Sequence, residues 1–242
     1  MAGEATDDLR EAVGSATHLL ISVPPDITGD PVLNLVREEI AVSPTLESIV
    51  YLSTVGVYGD HSGEWIDEST LPRPRSDRSV RRLEAEKAWL SLPVRGRVQV
   101  AILRLSGIYG PGRNAVINLR AGSARRVVKP GQVFNRIHVV DIAAAIEATL
   151  ESVAEGMFNV TDDLPAPPQD IVAYAAQLIG MPVPPEVAFS VADLSPMARS
   201  FYSENKRVAN DRMKQELGVT LAYPTYREGL QALVAADAGV ES

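Results

Sequence analysis

Residues 48–59 read SIVYLSTVGVYG. The apolar run Ile49–Leu52 is too short for a helix and rich in β-branched and aromatic residues, so it predicts a buried strand over Ser48–Thr54. That strand delivers two hydroxyls, Ser53 and Thr54, to its C-terminal end. The next charged stretch, Arg78-Ser79-Val80-Arg81-Arg82, opens a helix with Arg78 and Arg82 four apart and therefore on one face. Hydroxyls at a strand end, facing a cationic helix start, suit an anionic cofactor or substrate.

Outward from this core, apolar runs alternate with amphipathic segments, the pattern of an α/β protein with a mostly parallel sheet. His18–Val23 (HLLISV) is a strand that stops at Pro24-Pro25. Asp30 before Pro31 starts a helix reaching about Val42. Asp77 is expected to cap a helix to about Leu92, with Leu83, Ala85, Ala88, Trp89 and Leu92 on its apolar side. Val98–Leu105 and Met157–Val160 are further strands, and Asp141–Ser152 a helix. Pro167-Pro168 opens another helix, which Gly180 can end. Beyond Pro182 the pattern loosens into short strands and helices, then helices at Asn210–Leu217 and Thr225–Ala235.

The chain has 242 residues, 45% of them hydrophobic, no cysteine and a formal charge of −8. No apolar run reaches the roughly 20 residues of a membrane span. The acidic Met1–Arg10 stretch excludes a secretory signal. Absence of thiols excludes disulfide and thiolate chemistry and agrees with a cytoplasmic setting. The acidic balance disfavours nucleic acid. The three histidines, His18, His61 and His138, lack metal-ligand spacing, so no metal is expected. Arg113, Arg120, Arg125, Arg126, Lys129 and Arg136 form a stretch without acids, which reads either as a site for an anionic substrate or as a solvated basic face. Without aromatic residues interleaved, that stretch does not read as an RNA surface. His138 and Asp141 read as structural, the latter in a helix N-terminal turn, and no G-x-S-x-G hydrolase elbow is present.

Five blocks in order carry a resemblance: YLSTVGVYGD at 51–60, ILRLSGIYGPGR at 102–113, RIHVVDIAAAI at 136–146, GMFNVTDD at 156–163 and LGVTLAYPTYREGL at 217–230. The chain resembles the extended short-chain dehydrogenase/reductases of the NAD-dependent epimerase/dehydratase group, and within them an atypical subgroup of NAD(P)-binding oxidoreductases. The resemblance implies the distal part of a doubly wound, Rossmann-type sheet with a small mixed C-terminal lobe. It divides the chain into a nucleotide-binding part, 1–106, and a substrate lobe, 107–242, with 137–160 returning to the sheet. It implies NAD or NADP as cofactor and a small polar, anionic substrate. Thr54 falls on the family's catalytic Ser/Thr position. The family's Tyr-x-x-x-Lys falls on Arg78 and Arg82. Arginine stays protonated and is no general acid/base, whereas Arg82 retains the capacity to bind ribose or an anion. Ser22, Pro24, Pro25, Ser53, Gly107 and Ile108 fall on cofactor-facing positions, Ser53 also reading as support for the following turn. Tyr58 reads either as substrate-facing or as packing.

The resemblance also carries an expectation of truncation. No G-x-x-G-x-x-G or G-x-G-x-x-G precedes His18, so the family's first βαβαβ portion, on the order of 60 residues, is expected to be missing. The similar string Gly107-Ile-Tyr-Gly110-Pro-Gly112 follows a later strand and reads as a turn. HLLISV would then be a bare apolar edge, predicting self-association through it or a homodimer through helices near 30–42 and 78–92, and weak or absent dinucleotide binding. A catalytically silent nucleotide-binding or scaffold relative remains the alternative to an enzyme.

Overall fold

The computed structural model describes residues 5–94 and 98–240, with side chains as far as Asp237. In chain order the elements are α1 (Asp7–Ser15), β1 (His18–Ile21), α2 (Pro31–Val42), β2 (Ser48–Thr54), a 3-10 turn (Val55–Tyr58), β3 (Trp65–Ile66), α3 (Asp77–Leu90), β4 (Gln99–Leu105) and β5 (Gly107–Tyr109). There follow α4 (Ala115–Arg120), β6 (Arg126–Val128), β7 (Arg136–His138), α5 (Val139–Glu151), β8 (Gly156–Val160), α6 (Pro168–Leu178), β9 (Glu186–Ala188), α7 (Pro196–Phe201), β10 (Arg207–Val208), α8 (Asp211–Glu216) and α9 (Tyr226–Val240).

The main sheet is parallel throughout, in the order β1-β2-β4-β8. Both faces are covered, which is why its central strands are continuously apolar. Ile21, Ile49, Tyr51 and Ile102 pack on Leu33, Val36 and Ile40 of α2 and on Ala85 and Trp89 of α3. On the opposite face Val50, Leu103, Leu105 and Phe158 pack on Ile142 and Ala145 of α5, with Met213 and Leu217 beside them. A third cluster, from Val116, Leu119, Ile171, Ala175, Tyr226 and Leu230, joins α4, α6 and α9 into the C-terminal lobe. Among the described residues, no helix is long and apolar enough to cross a membrane.

β1 ends the sheet. Leu20 pairs with Val50 and so shares its face, yet Leu20 is 47% exposed while Val50 is buried. The helices that cover β2 and β4 on that side do not extend over β1.

Two local readings change. Ser76, not Asp77, caps α3, its hydroxyl accepting from the Ser79 amide. Gly107–Tyr109, read as the start of a turn, is the short strand β5, parallel to β7; the turn itself occupies Gly110–Arg113, closed by reciprocal backbone bonds of 3.0 and 3.1 Å. The sequence reading assigns no element to residues 7–15, where α1 forms with Thr6 as its cap.

Candidate functional site

Because the strands are parallel and in register (Thr54 opposite Leu105, Leu105 opposite Val160), their C-terminal ends lie along one rim. In open α/β sheets that rim is where ligands bind. It gathers Ser22, Thr54, Gly107 and Ile108.

Thr54 is half-buried, and its Oγ1 accepts from the Gly56 amide at 3.1 Å, capping the 3-10 turn. Its own hydroxyl proton remains available to a ligand oxygen. Gly107 and Ile108 are exposed, Ile108 at 40%. Ser22 and Pro24 are also exposed, Pro25 less so, and the loop after them closes on itself through Asp26 and Gly29.

Ser53 does not support the turn, as its sequence reading had it. Its side chain is buried and donates to the Glu86 carboxylate. Side chains alternate across a strand, so neighbouring Ser53 and Thr54 serve opposite sides: one locks β2 to α3, the other faces the rim. Tyr58 is fully buried, donating to Asn159 Oδ1 at 2.8 Å, which makes it packing. Burial raises its phenol above the ordinary value.

The two arginines part company. Arg82 turns inward: its Nη1 donates to the Leu52 carbonyl and to the Tyr51 hydroxyl, both at 3.0 Å. Burial pushes the Tyr51 phenol up to about 12, so it stays neutral. Arg78 turns outward, its guanidinium carbon 5.3 Å from the centre of the Phe201 ring on α7. The structure thus brings Arg82 to the strand end and sends Arg78 to the C-terminal lobe.

Sequence reasoning missed a buried ion pair. Arg104 on β4 donates to Glu86 on α3 through Nη2 at 2.7 Å and Nε at 3.2 Å, and both side chains are about 2% exposed. Its guanidinium also lies over the Tyr58 ring at 4.7 Å. The available signal was an arginine inside the apolar run AILRL, where a charge survives only with a partner.

The basic stretch is largely engaged within the lobe. Arg120 pairs with Asp237 and Arg126 with Glu186. Lys129 donates to the Tyr202 carbonyl, Arg125 to the carbonyls of Gly122 and Ala124, and Arg136 to those of Phe134 and Ala166. Arg113 is exposed at the turn after β5. His138 is buried and caps α5 through Nδ1, which accepts from the Val140 amide at 3.2 Å. Burial lowers its basicity. Asp141 accepts from the amides of Ala222 and Tyr223. Among the described residues no group of acids and histidines is arranged to hold a metal.

The sequence profile of the NAD dependent epimerase/dehydratase family matches residues 31–161. This chain belongs to that family. Protein YeeZ of Escherichia coli (strain K12) is 31% identical over 228 residues, which cover 90% of this chain and 76% of YeeZ. A 3-diazoavenalumate denitrifying reductase of a Streptomyces species is 31% identical over 140 residues, 53% of this chain and 45% of that protein. The chain therefore spans under half of that reductase's length. A solved structure of a functionally unknown conserved protein from Silicibacter pomeroyi is 50% identical, with a TM-score of 0.86, covering 97% of this chain and 80% of the other. The sheet is the parallel sheet of the Rossmann-like fold seen in epimerase/dehydratase structures.

Members of the NAD dependent epimerase/dehydratase family typically bind NAD(P). Thr54, Arg82 and the Gly107-Ile108 backbone, all near the rim, are the groups that would face the ribose and nicotinamide end of such a cofactor. The diphosphate end needs free amides at a helix N-terminus, and at the helix after β1 two of them are already taken. Asp30 accepts from the Val32 and Leu33 amides at 2.9 and 3.0 Å, and Pro31 occupies the first helical position. The Asp30 carboxylate also accepts from the Trp89 indole at 3.1 Å.

Proposed function

We propose that this chain forms the nicotinamide-facing and substrate-facing side of an NAD(P)-dependent oxidoreductase or epimerase-type site for a small polar, anionic molecule. The observation that carries this reading is the placement of the Thr54 hydroxyl at the same sheet rim as Arg82 and the Gly107-Ile108 strand start. Thr54 donates to a substrate oxygen, and Arg82 holds the end of β2 while offering its remaining N–H groups to a ribose or an anion. Arg113 supplies a second cation toward the lobe. The chain alone binds dinucleotide weakly, because the diphosphate lacks amide donors. The chain forms a homodimer or self-associates along β1, where Leu20 is 47% exposed.

A specific observation favours a second reading, a silent relative that binds without turnover. Arg78, at the position of the family's tyrosine, cannot exchange a proton and is engaged with Phe201. Steady-state oxidation of NADPH with a panel of carbonyl compounds separates the two. Turnover that is lost in Thr54→Val supports the enzyme. Saturable binding of nucleotide without any turnover supports the silent relative and contradicts the enzyme.

A further inference from the structure

Asp162 lies two residues beyond the end of β8 and is 1% exposed. Its amide donates to the Arg136 carbonyl at 2.7 Å. Its Oδ1 accepts from the Leu164 amide at 3.2 Å, while Oδ2 is buried without a hydrogen-bond partner among the described residues. An ionised carboxylate with a bare oxygen in such a place is strongly disfavoured. Burial accordingly pushes this carboxyl up to about 7.

The neighbouring cation is not spent on it. Arg136 makes no ion pair with Asp162 among the described residues. Its Nη1 donates instead to the Phe134 carbonyl at 2.9 Å and the Ala166 carbonyl at 3.2 Å. Phe134 and Ala166 form an antiparallel bridge, with N···O distances of 3.0 and 3.1 Å. That bridge fastens the lead-in to α6, and with it the lobe core, to the strand entering β7.

Other charged groups around Asp162 are committed. Asp141 on α5 is held by the Ala222 and Tyr223 amides. Asp163 is paired with Lys214 of α8 at 2.5 Å. Burial holds the Tyr109 phenol on β5 far above its ordinary value, so it stays neutral. His138, beside Asp141, is held neutral near and above pH 7 by its lowered basicity.

We propose that Asp162 and Arg136 form a pH-sensitive latch between the sheet and the C-terminal lobe. With Asp162 neutral, the guanidinium clamps the Phe134–Ala166 bridge. When Asp162 gives its proton to solvent, the guanidinium turns to the new carboxylate and the bridge loosens. Opening lies next to the Gly107 end of the candidate site, because Gly107 pairs with Arg136 and its amide donates to the Asn135 carbonyl at 3.1 Å.

Amide hydrogen exchange of Phe134 and Ala166, corrected for the intrinsic pH dependence, tests this on the whole chain. Protection should fall about tenfold or more between pH 6 and pH 8 in the wild type, equivalent to about 1.4 kcal/mol, and stay level in Asp162→Asn. Level protection in the wild type, or the same fall in Asp162→Asn, overturns the latch. Should that variant fail to fold, carbon-13 NMR of the wild-type Asp162 carboxyl decides. Titration with a midpoint near 7 that coincides with the loss of protection supports the latch, and any other midpoint overturns it.

Discussion

The Arg104 guanidinium meets the Glu86 carboxylate at 2.7 Å with both side chains about 2% exposed. Glu86 also accepts from Ser53, so α3, β2 and β4 share one buried charge pair directly beneath the rim that carries Thr54. A buried pair gains little over apolar packing, but removing one partner strands a charge. Glu86→Leu and Arg104→Met are each expected to cost about 3–5 kcal/mol in urea unfolding. The double variant is expected to recover most of it. Equal, additive losses in the double variant would contradict a coupled pair.

Arg78 and Arg82 offer a contrast within one helix. Arg78→Ala removes an exposed cation–π contact and is expected to cost less than about 1 kcal/mol. Arg82→Ala strips donors from the Leu52 carbonyl and the Tyr51 hydroxyl, at about 1–3 kcal/mol. Denaturation midpoints of the two variants check the order, and an Arg78→Ala loss as large as that of Arg82→Ala would reverse it.

Gly59, the glycine of the V-Y-G string, has φ +72°, and a Cβ there would lie 2.0 Å from the Arg73 carbonyl oxygen. Gly59→Ala therefore combines a left-handed backbone with a clash against main chain, and should cost about 2 kcal/mol or more. A thermal midpoint within 2 °C of the wild type, roughly the shift of half a kcal/mol or less, would argue against this geometry.

Asp162 sets a pH dependence whose sign is fixed. Its folded value of about 7 lies above the ordinary 3.8, so the folded state binds the proton more tightly than the unfolded chain. The stability this contributes is complete below pH 3.8, declines as the pH rises toward 7, and is gone above it. Three units correspond to about 4 kcal/mol as an upper bound. In Asp162→Asn the decline in urea stability between pH 4 and pH 7.5 should shrink. An unchanged slope would place the titrating group elsewhere.

Much of this fold was legible because long elements carry strong local signals. The bounds of α2 follow from Asp30-Pro31, and those of β2 from an apolar run that ends in hydroxyls. Strands of two or three residues, such as β3, β5 and β10, are too short to show a period, and they exist only because a distant segment pairs with them. α1 escaped notice because Val13 is its only buried residue. In the site, the positions of Thr54, Gly107 and Ile108 at one rim follow from the strand order, which the family resemblance anticipated. The divergence of Arg78 from Arg82 did not, because Phe201 of the C-terminal lobe decides it. Nor did Ser53, whose partner Glu86 is chosen by the packing of α3 on the sheet.

Calorimetric titration of the purified chain with NADH and NADPH tests the central claim most directly. The proposed site, with Thr54, Arg82 and Gly107-Ile108 toward the nicotinamide and no glycine-rich phosphate motif in the sequence before His18, predicts binding weaker than about 1 mM, or less favourable than about −4 kcal/mol. Saturable one-site binding at micromolar concentration would contradict it.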